Sequence, residues 1–473
     1  MKKLNILILF AAIFFASCDD YVDITPKGSA IAEDLDDVNA LLESTDSYGL
    51  GAFGSVIELL VNDNLTLNEE EVSYWASQSW YRKNAAIYNL DPVFHDESQE
   101  DREWSYHYSS ITKANYILQV LEEVTGDEAR INQYKAEALT HRAIAYWRVV
   151  NIFGQHYGLP AAAEEESGVP ILFKYADQSE SLLRASVNAV YEQIVTDLTT
   201  AIPLLMEGRP YIDRINKAAA QGVLARVYLH MGDYANALEQ ANAALAHNST
   251  LIDYNDYDPF AGNYIPKGLD NPEHVLFRAT YPVTTGAYPN TVGAGRFSDA
   301  LAAVFTDKVN DLRIAKHSST YPDPNDPSKT IYHYAQNSYS SYRYAMGITV
   351  PELLLIKAES AARTGDVAGG LDAANTLRAK RFDATVVAAD GHLLATTDQA
   401  EAIQMILDER RREFHVKGYR FFEIKRLNAL HNAGISLTRG SVTWQANSIN
   451  WAAPIGAAVV NTSNGQIKQN PRE

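Results

Sequence analysis

The chain has 473 residues, 46% hydrophobic and 21% charged, enough apolar material for a large core and no low-complexity run long enough to remain disordered. A formal net charge of −19 repels phosphate overall and excludes nucleic acid and anionic polymers as expected partners. The 28 Tyr and 6 Trp outnumber the 15 Phe, so most rings carry a polar tip that suits a wet, concave surface as well as a packing seam.

At the start of the chain, Lys2 and Lys3 precede an apolar run from Leu4 to Ala16 that ends at Ser17 and Cys18. This reads as a secretory signal over residues 1–17, too short to span a bilayer. Cys18 is the only cysteine and forms no internal disulfide. The small residues before it are similar to a lipobox, whose cleavage exposes a cysteine for lipidation; Phe15 stands where a leucine is usual. Past the signal no apolar stretch reaches the ~20 residues a membrane helix needs. Attachment is therefore expected through Cys18 alone, with residues 18–473 as the mature domain.

The next informative stretch, EEEVSYWASQSWYRKNAAIY from Glu69 to Tyr88, concentrates Tyr74, Trp75, Trp80, Tyr81, Arg82 and Asn84. It lies in a segment, about 60–100, that is expected to be loop-rich. Rings of this kind stack on the apolar face of a sugar while Arg and Asn bond its hydroxyls. From Asp101 to Phe153 the spacing predicts two long amphipathic helices, the first carrying Trp104, Tyr108, Ile111, Asn115 and Leu118, the second Ala138, Arg142, Ala143, Tyr146, Trp147 and Val150. A further helix is predicted from about Ser186 to Leu205, where Val190, Ile194, Leu198 and Ile202 form one stripe and Pro203 marks its end.

QGVLARVYLHMGDYANALEQANAAL, from Gln221 to Leu245, places small and aromatic residues where a tetratricopeptide repeat packs its two helices, with Gly232 and Asp233 at the turn. A second copy runs from Leu353 to Arg381, with Ala358, Ala361, Gly365, Gly370 and Ala374 in equivalent places. The two copies lie too far apart in sequence for a regular tandem solenoid. Between them, about 252–344, Tyr, Asn, Asp, Pro and Gly dominate, and short strands and turns are expected. The predicted fold is mainly α: a tetratricopeptide-like helical repeat superhelix, about 101–250 and 350–431, with a loop-rich irregular subdomain containing short strands.

Parts for catalysis do not assemble. There is no HExxH helix, no GxSxG elbow and no phosphate-cradling glycine loop. With 59 acidic residues, carboxylate pairs arise by number alone, so a surface glycosidase is only a minor alternative and the chain is expected not to be an enzyme. Asp253, Asn255, Asp256 and Asp258, and likewise Asp323, Asn325 and Asp326, supply oxygen ligands of the type calcium takes. Neither group has the EF-hand glycine or terminal glutamate, and turn formation explains both; no metal and no cofactor are expected.

Several blocks, taken in order, carry a family resemblance: DDYVDITPKG after the cysteine, WSYHYSSITKANYIL from Trp104, KAEALTHRAIAYWRVVNIFG from Lys135, SVNAVYEQIVTDLTTAIPLL from Ser186, and DERRREFHVKGYRFFEIKRL from Asp408. Together they resemble the SusD/RagB family of Bacteroidetes outer-membrane lipoproteins. In the last block Glu409, Arg410, Glu413, Phe414, Gly418, Arg420, Phe422 and Arg426 fit the family pattern; Glu423 and Leu427 stand where aspartate and tryptophan are commoner. The resemblance implies a lipoprotein that binds oligosaccharide, or in some relatives peptide, and delivers it to a SusC-like TonB-dependent transporter. Asp19 and Asp20 resemble the surface-export signal of such lipoproteins, which implies an outward-facing anchor. It also implies ligand residues in the early segment and the insert, for which the candidates are Trp75, Trp80, Tyr81, Arg82 and Asn84, joined by Tyr288, Tyr339 and Tyr342. For Glu409 and Glu413, four apart on one helical face, an ion-pair lattice with neighbouring arginines is expected in place of acid–base chemistry.

Overall fold

The computed structural model describes residues 32–44, 50, 55–79, 81–97, 99–175, 177, 179–208, 212–258, 262–266, 268–278, 295–322, 328–334, 347–415 and 417–473. Its longer helices are α1 (Leu35–Glu43), α2 (Glu69–Ser77), α3 (Arg102–Glu123), α4 (Glu128–Phe153), α5 (Val187–Ala201), α6 (Lys217–Met231), α7 (Tyr234–His247), α8 (Val350–Arg363), α9 (Val367–Arg378), α10 (Gln399–Glu413) and α11 (Tyr419–His431). Each helix through α10 starts at a side-chain cap, among them Asp101 before α3, Asp127 before α4 and Asp233 before α7, which satisfies backbone N–H groups that the first turn leaves without partners. Among the described residues no helix is long and apolar enough to cross a membrane.

The helices pack as successive hairpins: α3 on α4, α4 on α5, α6 on α7, α8 on α9, with α10 lying across α8 and α9. The predicted repeats form as their small residues require. Ala225, Leu229, Ala237, Ala241 and Ile356 make one cluster, and Ala358, Ala362, Leu371, Ala374, Ala402 and Ile406 another. A Cβ added at Gly370 would stand 2.7 Å from the carbonyl oxygen of Ala358, so the close α8–α9 approach admits only glycine there. Gly232 ends α6 in the left-handed region at φ +79°. Gly232→Ala is expected to cost about 1–2 kcal/mol of unfolding free energy, read by urea denaturation; its new Cβ also meets Leu430 Cδ1 at 3.3 Å.

Sequence separation does not keep the two repeats apart. Helix α7 packs directly on α8, so the superhelix is continuous and the insert loops out between neighbouring repeats. Two very short strands close the loop's base: β2 (His274–Leu276) pairs antiparallel with β6 (Ile348–Thr349), and Val350 N–H donates to Glu273 O at 2.8 Å. Asn248, just past α7, reaches Pro272 O at 3.1 Å. The tandem stacking that the sequence distance argued against is restored by this clasp.

The insert's sheet draws on the chain's beginning. Strand β1 (Leu65–Thr66) pairs with β3 (Arg296–Phe297), β3 with β5 (Thr330–Tyr334), and β5 with β4 (Ser318–Pro322), all antiparallel. The last pair is a hairpin, β7 (Leu437–Arg439) with β8 (Val442–Trp444). One large buried cluster runs from Val56 through α4, α5 and α6 to Ile467, so the early segment, the repeats and the C-terminal segment share a core.

Candidate functional site

The segment about 60–100, expected to be loop-rich, instead carries α2 and a second helical stretch, Arg82–Tyr88. A capping box starts α2: Asn68 Oδ1 accepts from Glu71 N–H, and Glu71 Oε2 accepts from Asn68 N–H, both at 2.7 Å. The helix sorts its aromatic residues by face. Trp75 is 0% exposed and belongs to the main core, leaving no ring face for a ligand, whereas its neighbour Tyr74 is 47% exposed. Tyr81 is half-buried against the same core, Arg82 is exposed, and Asn84 is buried. Tyr74 is thus the aromatic that the sequence candidates omit. Adjacent residues on a helix stand about 100° apart around its axis, and here the larger ring is the one that meets the core. Trp80, Tyr288, Tyr339 and Tyr342, and Cys18, lie outside the described residues.

The two stretches that hold the candidates are joined. Pairing of Leu65 with Phe297 and Thr66 with Arg296 places the strand before α2 on the insert's sheet, and Arg296 Nη2 stands 3.5 Å from Glu71 Oε2. Tyr88 ties its helix to the same edge, its hydroxyl accepting from Leu67 N–H at 2.8 Å while the Arg439 guanidinium sits 4.5 Å from its ring centroid. The result is a rigidly mounted surface with exposed Tyr74, half-exposed Tyr81 and cationic Arg82. It can stack and hydrogen-bond, and among the described residues it presents no nucleophile and base in contact.

The C-terminal signature residues sit in the interior as a charge lattice. Glu409 accepts from Arg313 at 2.7 Å, Arg378 at 2.5 Å and Arg412 at 3.0 Å, and Glu413 accepts from Arg313 and Arg381 at 3.1 Å. Arg426 bonds Glu359 through both terminal nitrogens at 2.8 and 2.9 Å, Arg410 bonds Glu423, and Arg420 grips Asp63 beside β1 at 2.6 and 2.9 Å. Burial alone would raise the two glutamates, but the surrounding arginines prevail, holding Glu409 well below the carboxylate range and Glu413 at about 2. Carboxylates so held are fixed anions that tie elements together.

A cavity of about 310 Å³ lies elsewhere, between the end of α4, α11 and the C-terminal segment, lined among others by His156, Lys425, Asn428 and Trp451. Lys425 donates to the carbonyls of Asn151 and Gly154, capping α4, and burial pushes it down to about 7. Its placement is accounted for by that cap. Of the calcium-type groups, Asp253 makes a turn, accepting from Asn255 N–H at 3.1 Å and from Lys380 Nζ at 3.0 Å, while Asp323, Asn325 and Asp326 lie outside the described residues. One group the sequence reading missed brings His95, Asp101 and Glu103 together, all buried.

Comparison with known proteins gives a consistent set of likenesses. A family described as "Starch-binding associating with outer membrane" matches residues 20–229, and the SusD family matches residues 298–471. A SusD-like protein of Formosa agariphila is 25% identical over 245 residues, covering 51% of this chain and 46% of its own length, so this chain matches about half of that relative. Another from the same organism is 22% identical over 405 residues, 72% of this chain and 74% of the relative. The crystal structure of a SusD superfamily protein from Bacteroides vulgatus superposes with a TM-score of 0.72 at 19% identity, over 93% of this chain and 99% of that one.

Proposed function

The chain belongs to the SusD family, and from that premise we propose that it is an outer-membrane lipoprotein, anchored through Cys18 and facing outward, that binds oligosaccharide and hands it to a SusC-like TonB-dependent transporter. The observation that carries the binding half is the β1–β3 pairing, which mounts the Tyr74–Asn84 segment on the same sheet as the insert. Exposed Tyr74 and half-exposed Tyr81 supply stacking faces, Arg82 supplies donors for hydroxyls, and Tyr288, Tyr339 and Tyr342 are proposed to complete the surface from the insert. The helical face is left to dock on the transporter. The description of the family matched over the first half, starch-binding and outer-membrane association, supports the same reading.

Affinity electrophoresis and calorimetry of the full chain against a glycan panel, with co-purification of the transporter from membranes, test it. Tyr74→Ala and Arg82→Ala are each expected to weaken glycan binding roughly tenfold without lowering the melting temperature. Trp75→Ala is expected to do the opposite, lowering stability by about 3–5 kcal/mol because it empties a core position. Retention of peptides in place of glycans would change the ligand class; retention of neither, with no transporter recovered, would sink the proposal.

A further inference from the structure

The loop between the Arg82–Tyr88 helix and α3 brings one imidazole and two carboxylates to a single buried point. His95 is 5% exposed, Asp101 0% and Glu103 4%, and one ligand atom from each lies within 4.8 Å of the other two. His95 Nε2 is aimed at both acids, 3.8 Å from Asp101 Oδ1 and 3.7 Å from Glu103 Oε2, yet has no hydrogen-bond partner. The two distances are too long for hydrogen bonds and fit two ligands on one ion, since a pair of zinc bonds of about 2.1 Å spans at most about 4.2 Å.

We propose that His95, Asp101 and Glu103 bind one divalent transition-metal ion of the zinc type, in competition with the ammonium of Lys83. Other contacts at the cluster are compatible with this. Asp101 Oδ1 accepts from Trp104 N–H at 3.2 Å and Oδ2 from Gly456 N–H at 2.8 Å, so the carboxylate is oriented by α3 and the C-terminal segment. Lys83 Nζ lies 3.2 Å from Glu103 Oε2, and its side chain, 18% exposed, forms the solvent side of the cluster. An entering ion takes the position that this ammonium neutralises. One nitrogen with two carboxylates suits zinc better than calcium, which takes six to eight oxygens. A bound ion would pin the Lys83 helix, α3 and Gly456 at one point.

The full chain, stripped with chelator and titrated with zinc chloride against a chromophoric competitor, is expected to take up one zinc more than His95→Ala, with circular dichroism unchanged. Lys83→Met keeps all three ligands and removes the competing charge, so its zinc affinity is expected to rise roughly tenfold. Equal uptake by wild type and His95→Ala, no tightening in Lys83→Met, or preference for calcium chloride in a parallel titration would each overturn the assignment. The Lys83→Met measurement stands even where His95→Ala does not fold, and neither depends on any glycan.

Discussion

Glu409→Ala is expected to lower the unfolding free energy by about 3–5 kcal/mol at neutral pH, to be read as a drop in urea midpoint at unchanged slope. The size follows from what the carboxylate leaves behind. Arg313 keeps Asp311 and Glu413 as partners, and Arg412 keeps the carbonyl of Val304, but Arg378 loses its carboxylate and keeps the carbonyl of His392 and the Phe382 ring, whose centroid lies 4.4 Å from the guanidinium. A buried guanidinium without its counter-ion carries a desolvation cost that a carbonyl and a ring face offset only in part. Removing that guanidinium as well is therefore expected to recover part of the loss, so Glu409→Ala with Arg378→Ala costs less than the two single changes summed. Strict additivity would mean that the lattice is screened by solvent and that its burial has no energetic weight.

Acid is expected to destabilise the protein in two overlapping stages. His107, His274 and His317 are each pushed from 6.5 to about 3 by burial, and His415 to about 4. The unfolded chain therefore binds these protons first, and their contribution, complete above about pH 6.5, is lost as pH falls below that value. Glu359 and Glu413 follow. Burial opposes them, but Arg426 holds Glu359, and Arg381 with Arg313 holds Glu413, at about 2 from 4.5, so their stabilisation is present above about pH 4.5 and lost on the way to pH 2. Glu58 and Asp101, raised by burial, act in the opposite sense in part of the same range. Each histidine adds about 1.4 kcal/mol per pH unit to the slope while it titrates in the unfolded state alone. Urea midpoints from pH 7 to 4.5 measure that slope, and His107→Phe is expected to reduce it by close to one proton, because both ring nitrogens of His107 are buried and without partners. A flat profile over that range would refute the assignment of neutral buried histidines.

The repeat hairpins were legible because their determinants are local: alanines at helical spacing, a glycine at the turn and an aspartate to cap the next helix, all within about thirty residues. The lattice was legible in kind, since Glu409 and Glu413 share a helical face, but not in its partners: Arg313 comes from the insert, and Arg378 and Arg381 from α9 and the turn after it. The stacking of α7 on α8 was hidden because the clasp that permits it, β2 with β6, consists of strands too short to leave an alternating pattern. At the candidate site, the aromatic composition of Glu69–Tyr88 was visible while its orientation was not. Helix α2 spans only nine residues, and which of Tyr74 and Trp75 faces inward depends on the core it meets. Asn68 and Glu71 were a readable capping box, and they are the local sign that this stretch is helical. His95, Asp101 and Glu103 match no metal motif by spacing; the turn before α3 brings them together.

Strand β1 has a consequence for the order in which the molecule is made. Each repeat hairpin closes over neighbouring residues and can form as soon as its own two helices exist, whereas β1 must wait for β3, synthesised long after it, before the insert's sheet has an edge to build on. Arg411 and Arg420, which hold Asp63 next to that strand, arrive later still. The proposed binding surface is therefore completed after the helical hairpins, and chains arrested before Arg420 would carry assembled hairpins with no finished face to hold a ligand.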